Sequence, residues 1–166
     1  MISGSRELRV IYPDLDDNQY QPAGIDLTLG KAAELQHNDG TVYGILKDAK
    51  ILPKHVEMQP QSMQVSGMVK DVFVFEPLTS YILTTKEKIK IDRFSGQFYL
   101  PRSSCLRGGV AIHTAFGDPG FNGHLSFLLI NYSSKPFVIE KGARFAQLIN
   151  MEVVMIEDEY QGDYNE

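Results

Sequence analysis

The chain has 166 residues, a length typical of one domain that buries enough apolar surface to fold without disulfides. Hydrophobic residues make up 43% of it, which excludes general disorder, and the net charge of −5 argues against nucleic-acid binding. A single cysteine, no signal-peptide core and no apolar run of about 18 residues predict a soluble cytoplasmic protein with no membrane partner.

The first predicted elements are a short helix, a loop and a strand. Ser and Gly followed by good helix formers predict a helix over 4–10, and the polar, proline-containing stretch 13–24 is typical of a loop. In GIDLTLG, residues 24–30, apolar residues alternate with Asp26 and Thr28. This period of two predicts a strand whose polar side chains face solvent.

Most of the remaining chain consists of short β-rich segments separated by turn residues. These segments lie at 41–46, 71–77, 80–85, 88–92, 96–101, 109–116, 124–132, 136–140 and 144–156. One interior helical turn is predicted at 102–109, and 54–67 is typical of an irregular insertion. Many short strands predict an all-β sandwich or barrel rather than a βαβ fold.

The predicted β domain spans 1–155, and a polar tail, 156–166, follows it. A frayed terminus is the simplest interpretation of such a tail. Its two tyrosines and its glutamine also suit a segment that becomes ordered over a ligand.

Two motifs contain residue types suited to phosphate chemistry, and each has a simpler structural interpretation. After the strand-ending proline of PRSS, Arg102, Ser103 and Ser104 offer a guanidinium and hydroxyls to a phosphate, or form an ordinary helix cap. Asp118 in HTAFGDPGFNGH is the only carboxylate between residues 93 and 139. Asp118 suits the role of a general base. The alternative is that it only takes part in the turn that Asp-Pro-Gly favours.

Lone polar residues also interrupt apolar strands. Asp26 is predicted to face solvent because an unpaired buried acid is costly. Gln147 is either a ligand contact or a core amide, and strand alternation puts it on the face of Phe145 and Ile149. Cys105 is predicted to be buried rather than nucleophilic. The four histidines lack metal-ligand spacing, and the zinc-deaminase, P-loop and GxGxxG signatures are absent from the sequence.

The order of these motifs resembles the dCTP deaminase/dUTPase family, most closely its archaeal-type dUTPase branch. The motifs in chain order are PAGIDLTLG, LPRSSCLRGG, HTAFGDPGFNGH, KGARFAQLI and a tail YQGDY. The resemblance covers residues 20–30 and 98–166. It implies a distorted β-barrel or jelly roll with one or two short helices. It also implies a homotrimer with active sites between subunits, and a deoxynucleoside triphosphate bound with Mg²⁺.

The resemblance implies a role for individual residues. Asp118 would activate the attacking water, and Phe121 would stack on the deoxyribose. The substrate phosphates would hold the metal ion, and Asp26 would support it indirectly. The remaining implied nucleotide contacts are Arg102, Ser103, Ser104, Arg107 and Gln147, the base-binding segment His113, Thr114, Ala115 and Phe116, and the C-terminal lid residues Tyr160, Gln161 and Tyr164.

One position separates the two activities of this family. Its deaminases carry a catalytic Glu on the strand after the motif acid, where this chain has Leu128. Deamination without zinc needs a proton shuttle at the base, and residues 124–131 contain no acid. The sequence therefore favours a dUTP diphosphatase that forms dUMP and pyrophosphate with Mg²⁺. The alternatives are a dCTP deaminase, a bifunctional enzyme, or a non-catalytic deoxynucleotide-binding regulatory trimer.

Overall fold

The computed structural model describes residues 1–38, 40–154, 158, 160–162 and 165. The helical elements are α1 (Ser5–Ile11), a 3-10 turn (Asp17–Gln19) and α2 (Ser103–Arg107). The strands are β1 (Tyr20–Gln21), β2 (Gly24–Gln36), β3 (Gly44–Ile45), β4 (Lys50–Ile51), β5 (Lys54–Glu57), β6 (Gln61–Val65), β7 (Met68–Phe75), β8 (Ser80–Lys90), β9 (Ser95–Pro101), β10 (Val110–His113), β11 (Asn122–Asn131), β12 (Phe137–Glu140) and β13 (Arg144–Glu152). The predicted fold class, mainly β with short helices, is confirmed.

The main sheet runs in the order β10-β11-β8-β2-β13-β9, with β1 and β5 added along β2. Its neighbouring strands are antiparallel. A bridge between Gln97 of β9 and Gly117 brings the last strand beside the segment after β10. The sheet therefore nearly closes into a barrel, which leaves little unpaired edge.

Apolar side chains from both the main sheet and a smaller sheet, β12-β7-β6, fill one core. Leu27, Leu83 and Phe127 are fully or almost fully buried in the barrel, and Leu8 of α1 joins them. Full burial of such a side chain stabilises the fold by roughly 1.5–3 kcal/mol. The core thus fixes the strands from which the polar side chains of the site project.

Several predicted elements differ from the observed ones. The segment 80–85 and the first part of the segment 88–92 form one strand, β8, which ends at Lys90, because a bulge at Thr85 absorbs the apparent break. The predicted insertion 54–67 contains β5 and β6, and the predicted loop 13–24 contains the 3-10 turn and β1. No helix in the described part of the chain is long and apolar enough to cross a membrane.

Candidate active site

Three adjacent strands bring together several of the predicted site residues. Asp26 of β2 is opposite Gln147 of β13, and Gln147 is opposite Leu100 of β9. Arg102 follows the end of β9, and its backbone N–H donates to the Phe145 carbonyl at 3.0 Å. The register of the sheet therefore unites motifs that are far apart in the sequence.

The Asp26 carboxylate is buried between two guanidinium groups. Its Oδ2 lies 3.3 Å from Arg102 Nε and 3.4 Å from Arg144 Nη1, and its side chain is 4% exposed. Burial raises the pKa of Asp26, while both guanidiniums oppose that shift. The prediction that Asp26 faces solvent is wrong, because β2 is covered on both faces from Gly24 to Leu29. The two cations offset part of the cost of burying the acid.

Oδ2 of Asp26 is also a buried oxygen with no hydrogen bond from the described residues. The described residues do not fit a protein-held magnesium site, since two cations already face this oxygen. No cluster of three or more His, Cys, Asp or Glu suited to a metal occurs among them either.

The predicted helical turn at 102–109 is confirmed as α2. Ser103 and Ser104 are exposed in its first turn, and Arg107 is exposed at its end. Cys105 is buried as predicted, with its thiol donating to the Phe145 carbonyl at 3.5 Å. Burial raises the pKa of this thiol, so it is a packing contact that ties α2 to β13.

Gln147 is half-buried beside a glycine that leaves room for its amide. A Cβ at Gly24 would lie 2.9 Å from Gln147 Nε2. The predicted sharing of a face with Phe145 is wrong, because the register shifts between Arg144 and Ala146. This irregularity leaves Phe145 and Ala146 both fully buried. Gln147 itself stays half-buried, so part of its side chain lies at the surface.

Asp118 is exposed on a turn whose two ends are fixed. Gly117 and Gln97 exchange two backbone hydrogen bonds of 2.9 Å, and Phe121 N–H donates to the Asp118 carbonyl at 3.2 Å. Gly120 has a φ of +87°, the conformation that glycine adopts readily. The interpretation of Asp-Pro-Gly as a turn is confirmed, and the Asp118 side chain is exposed.

A buried polar network lies beneath this turn, and the sequence did not predict it. Tyr99 OH donates to Gln97 Oε1 at 2.8 Å, and Gln97 Nε2 donates to Tyr12 OH at 2.5 Å and to Asn150 Oδ1 at 3.2 Å. Burial raises the pKa of Tyr12 to about 12. Burial, Tyr12 and Asp118 raise that of Tyr99 further. Both phenols are therefore neutral supports for the Asp118 turn at neutral pH.

The predicted base-binding segment lies on the surface before the turn. Its four residues, His113, Thr114, Ala115 and Phe116, are all exposed. The Phe116 ring packs edge-on against Phe98 with ring centroids 5.1 Å apart. Gly96 permits this contact, since a Cβ there would lie 2.5 Å from the Phe116 ring.

Leu128 lies half-buried on β11, opposite His113 of β10 and Ile82 of β8. No carboxylate occurs in β11. A buried acid that sequence reasoning missed, Glu87 of β8, is held inside the barrel by Thr28 and Gln19. Its only sequence signal is an acid at an inward position of an alternating strand.

The described part of the tail lies on the Asp118 turn of its own chain. Tyr160 N–H donates to the Pro119 carbonyl at 2.8 Å, and the Tyr160 ring packs edge-on against Phe121. Asn165 Oδ1 accepts the Asn122 N–H at 2.9 Å. Gln161 is exposed. Tyr164 lies outside the described residues.

Similarity to known proteins extends over almost the whole chain. The dCTP deaminase-like family model matches residues 3–153. A Methanopyrus kandleri protein named probable deoxyuridine 5'-triphosphate nucleotidohydrolase is 38% identical over 166 residues, covering 99% of each chain. A Methanobrevibacter smithii protein named dCTP deaminase, dUMP-forming, is 29% identical over 143 residues, 84% of this chain and 70% of that one.

A solved structure shows the same fold. The 2'-deoxycytidine 5'-triphosphate deaminase of Agrobacterium tumefaciens superposes with a TM-score of 0.67 at 20% sequence identity. The match covers 92% of this chain but 47% of that protein, so the chain spans about half its length. The barrel architecture therefore belongs to a known fold.

Proposed function

The chain belongs to the dCTP deaminase-like family, and from this premise we propose that it is a dUTP diphosphatase, which hydrolyses dUTP to dUMP and pyrophosphate. The choice of hydrolysis over deamination rests on the position of Leu128. It lies opposite His113, at the end of the predicted base-binding segment, on a strand without a carboxylate. The 38% identity to a relative named for dUTP hydrolysis supports the same choice.

Asp118 is the proposed general base. Its carboxylate takes a proton from water as the water oxygen forms a bond to the α-phosphorus, and the bond to the bridging oxygen of the β-phosphate breaks. Positioned proton transfer of this kind contributes about 10²- to 10⁴-fold in rate. The exposed carboxylate and the two Gln97–Gly117 hydrogen bonds beneath it support this role.

Arg102, Ser103, Ser104 and Gln147 are the proposed contacts to the triphosphate. A guanidinium is the best bidentate partner for phosphate oxygens, and preorganised donors of this kind stabilise the charge of the transition state. Asp26 lies against Arg102 and limits the positions of its guanidinium. Any magnesium would arrive on the phosphates of dUTP, because the described residues form no cage for it.

The remaining nucleotide contacts are proposed on and around the Asp118 turn. Phe121 would stack on the sugar, the backbone of His113 to Phe116 would recognise uracil, and Tyr160 and Gln161 would cover the ligand. Gln97 under the turn and Arg102 are separated by a run of β9, roughly 16 Å at the usual rise per residue. This separation within one chain fits a homotrimer whose sites combine residues of different subunits.

The decisive experiment compares dUTP and dCTP side by side, with and without Mg²⁺, using the purified protein. We expect pyrophosphate release from dUTP and no ammonia release from dCTP. Ammonia from dCTP would overturn the interpretation of Leu128 and favour the deaminase, as in the M. smithii relative. Binding of a non-hydrolysable dUTP analogue with no turnover of dUTP would identify a regulatory binding protein instead.

A further inference from the structure

The Glu87 carboxylate is buried inside the barrel and is held by donors that lead to Asp26. Thr28 donates to it twice, from its N–H to Oε2 at 3.0 Å and from its hydroxyl to Oε1 at 2.5 Å. Gln19 Nε2 donates to Oε1 at 2.8 Å. Glu87 is 8% exposed and Gln19 is 4% exposed, so neither can touch a substrate on the surface.

The side chain of Gln19 uses all of its hydrogen-bonding groups. Its amide nitrogen donates both to Glu87 and to the main-chain carbonyl of Asp26, the latter at 2.9 Å. Its Oε1 accepts the Asp16 N–H at 3.1 Å. An amide with two donors and an acceptor all engaged has one allowed orientation. Glu87 therefore fixes β2 directly at Thr28, and through Gln19 at Asp26.

The 3-10 turn that carries Gln19 is attached to the same site a second time. Arg144 Nη1 donates to the Asn18 carbonyl at 2.5 Å, and the same atom lies 3.4 Å from Asp26 Oδ2. The turn thus contacts both the backbone of Asp26 and the cation that faces its carboxylate. Movement of this turn would displace Asp26 and Arg144 together.

We propose that Gln19 and Glu87 are positioning residues for the phosphate side of the site. Glu87 orients the Gln19 amide, Gln19 holds the Asp26 backbone, and the Asp26 carboxylate orients Arg102. The inference rests on the proposed function, in which Arg102 binds the triphosphate. Neither Gln19 nor Glu87 carries out a chemical step.

The test is a double-mutant cycle with Asp26. Gln19→Met keeps the size of the side chain and removes all three of its hydrogen bonds. Because a displacement of about 1 Å at a positioning residue costs up to about 10²-fold, we expect kcat for dUTP to fall about 10- to 100-fold. KM should change less than about threefold. In an Asp26→Ala background the same substitution should have almost no further effect on kcat/KM, since the residue through which it acts is gone.

Two further variants keep the cycle decisive. Gln64→Met, on the exposed face of β6, is the matched control and should retain full activity. Glu87→Gln keeps an acceptor for Gln19 but loses the charge and an acceptor for Thr28 N–H. Glu87→Gln replaces Gln19→Met in the cycle if Gln19→Met does not fold. We expect it to lower kcat/KM about 3- to 10-fold, and we expect this loss to vanish in the Asp26→Ala background. An equal loss in both backgrounds, or no loss from either substitution, would overturn the proposal.

Binding of inorganic tripolyphosphate separates this inference from the proposed reaction. Calorimetry needs no turnover, so it reports on Arg102 even if dUTP is not hydrolysed. We expect Gln19→Met to weaken tripolyphosphate binding by up to about threefold in the wild-type background, in line with the small change expected in KM, and not in the Asp26→Ala background. If wild type binds tripolyphosphate without hydrolysing dUTP, the proposed reaction is wrong. The comparison of tripolyphosphate binding in the two backgrounds still tests the positioning role. Equal weakening in both backgrounds would reject the positioning role.

Discussion

Tyr160 packs edge-on against Phe121, with ring centroids 5.8 Å apart and ring planes at 68°. The two residues are distant in sequence, and their contact places Tyr160 on the turn that carries Asp118. The Tyr160 N–H reinforces the contact by donating to the Pro119 carbonyl. Tyr160, in a stretch with the composition of a frayed tail, thus lies on the turn that carries the proposed general base in the same chain.

Replacing Tyr160 with Ala should weaken nucleotide binding. An aromatic pair of this geometry is worth about 0.5–1.5 kcal/mol beyond burial, so the Kd of a non-hydrolysable dUTP analogue should rise about 2- to 10-fold. Calorimetric titration measures this change. Tyr132→Ala, an exposed tyrosine outside the turn and the tail, is the control and should leave the Kd unchanged. An unchanged Kd for Tyr160→Ala would remove the tail from the list of ligand contacts.

Asp118→Asn should keep the fold and lose the reaction. The turn depends on backbone hydrogen bonds, whereas the proposed base depends on the carboxylate. Pyrophosphate release from dUTP should fall at least about 10²-fold. Asp48→Asn, another exposed acid, should behave as wild type. Turnover of Asp118→Asn within about threefold of wild type would show that another group activates the water.

Gly117→Ala should disturb the Asp118 turn from below. A Cβ at this position would lie 2.3 Å from Tyr99 OH and 2.8 Å from the Ile91 side chain. Overpacking of this kind costs about 1–3 kcal/mol, and we expect that loss in the free energy of unfolding together with slower dUTP turnover. Denaturant titration measures the first effect. Gly44→Ala, where a Cβ meets nothing within 4 Å, should stay within about 0.5 kcal/mol of wild type.

The buried phenol of Tyr12 predicts a specific loss of stability in alkali. Its pKa is about 12 in the folded chain, against about 10 when it is unfolded. Since folding favours the neutral phenol, its contribution is fully present below pH of about 10 and is lost as pH rises through about 12. The free energy of unfolding of wild type should fall more steeply over this range than that of Tyr12→Phe, by up to about 1.4 kcal/mol per pH unit.

The comparison with Tyr12→Phe isolates one titration. Every other titratable group is present in both proteins. Tyr12→Phe also loses the hydrogen bond from Gln97 Nε2, which should lower its stability by about 1 kcal/mol at neutral pH. Parallel pH profiles for the two proteins would mean that Tyr12 does not titrate differently in the folded and unfolded states.

Strand alternation predicted the strands of the barrel because most of them have one face in the core. It failed at β6, whose polar sequence is typical of a loop, although it pairs with β7 throughout. The dipeptide Ser66-Gly67 contained the missing signal, since both residues adopt positive φ in the connecting turn, 50° and 82°. The length of β2 was also underestimated, because its second half is defined by pairing with β5 and β8.

The sequence did not predict how the candidate site residues are supported. Asp26 was expected in solvent because alternation assumes one exposed face, and tertiary contacts cover both faces of β2 at that point. Gln19, Glu87 and Gln97 were missed because their partners lie far away in the chain. No local pattern distinguishes such a residue from one that faces water.

The thiol of Cys105 makes the proposed phosphate-binding turn observable without any added label. It is the only thiol in the chain, and it is buried between α2 and the Phe145 carbonyl. An alkylating reagent can reach it only when α2 separates from β13, so the reaction rate counts local opening events. If Arg102, Ser103 and Ser104 hold a triphosphate, bound nucleotide must slow the alkylation of Cys105. Occupancy of the site then becomes measurable by mass spectrometry in a protein with no tryptophan to report it.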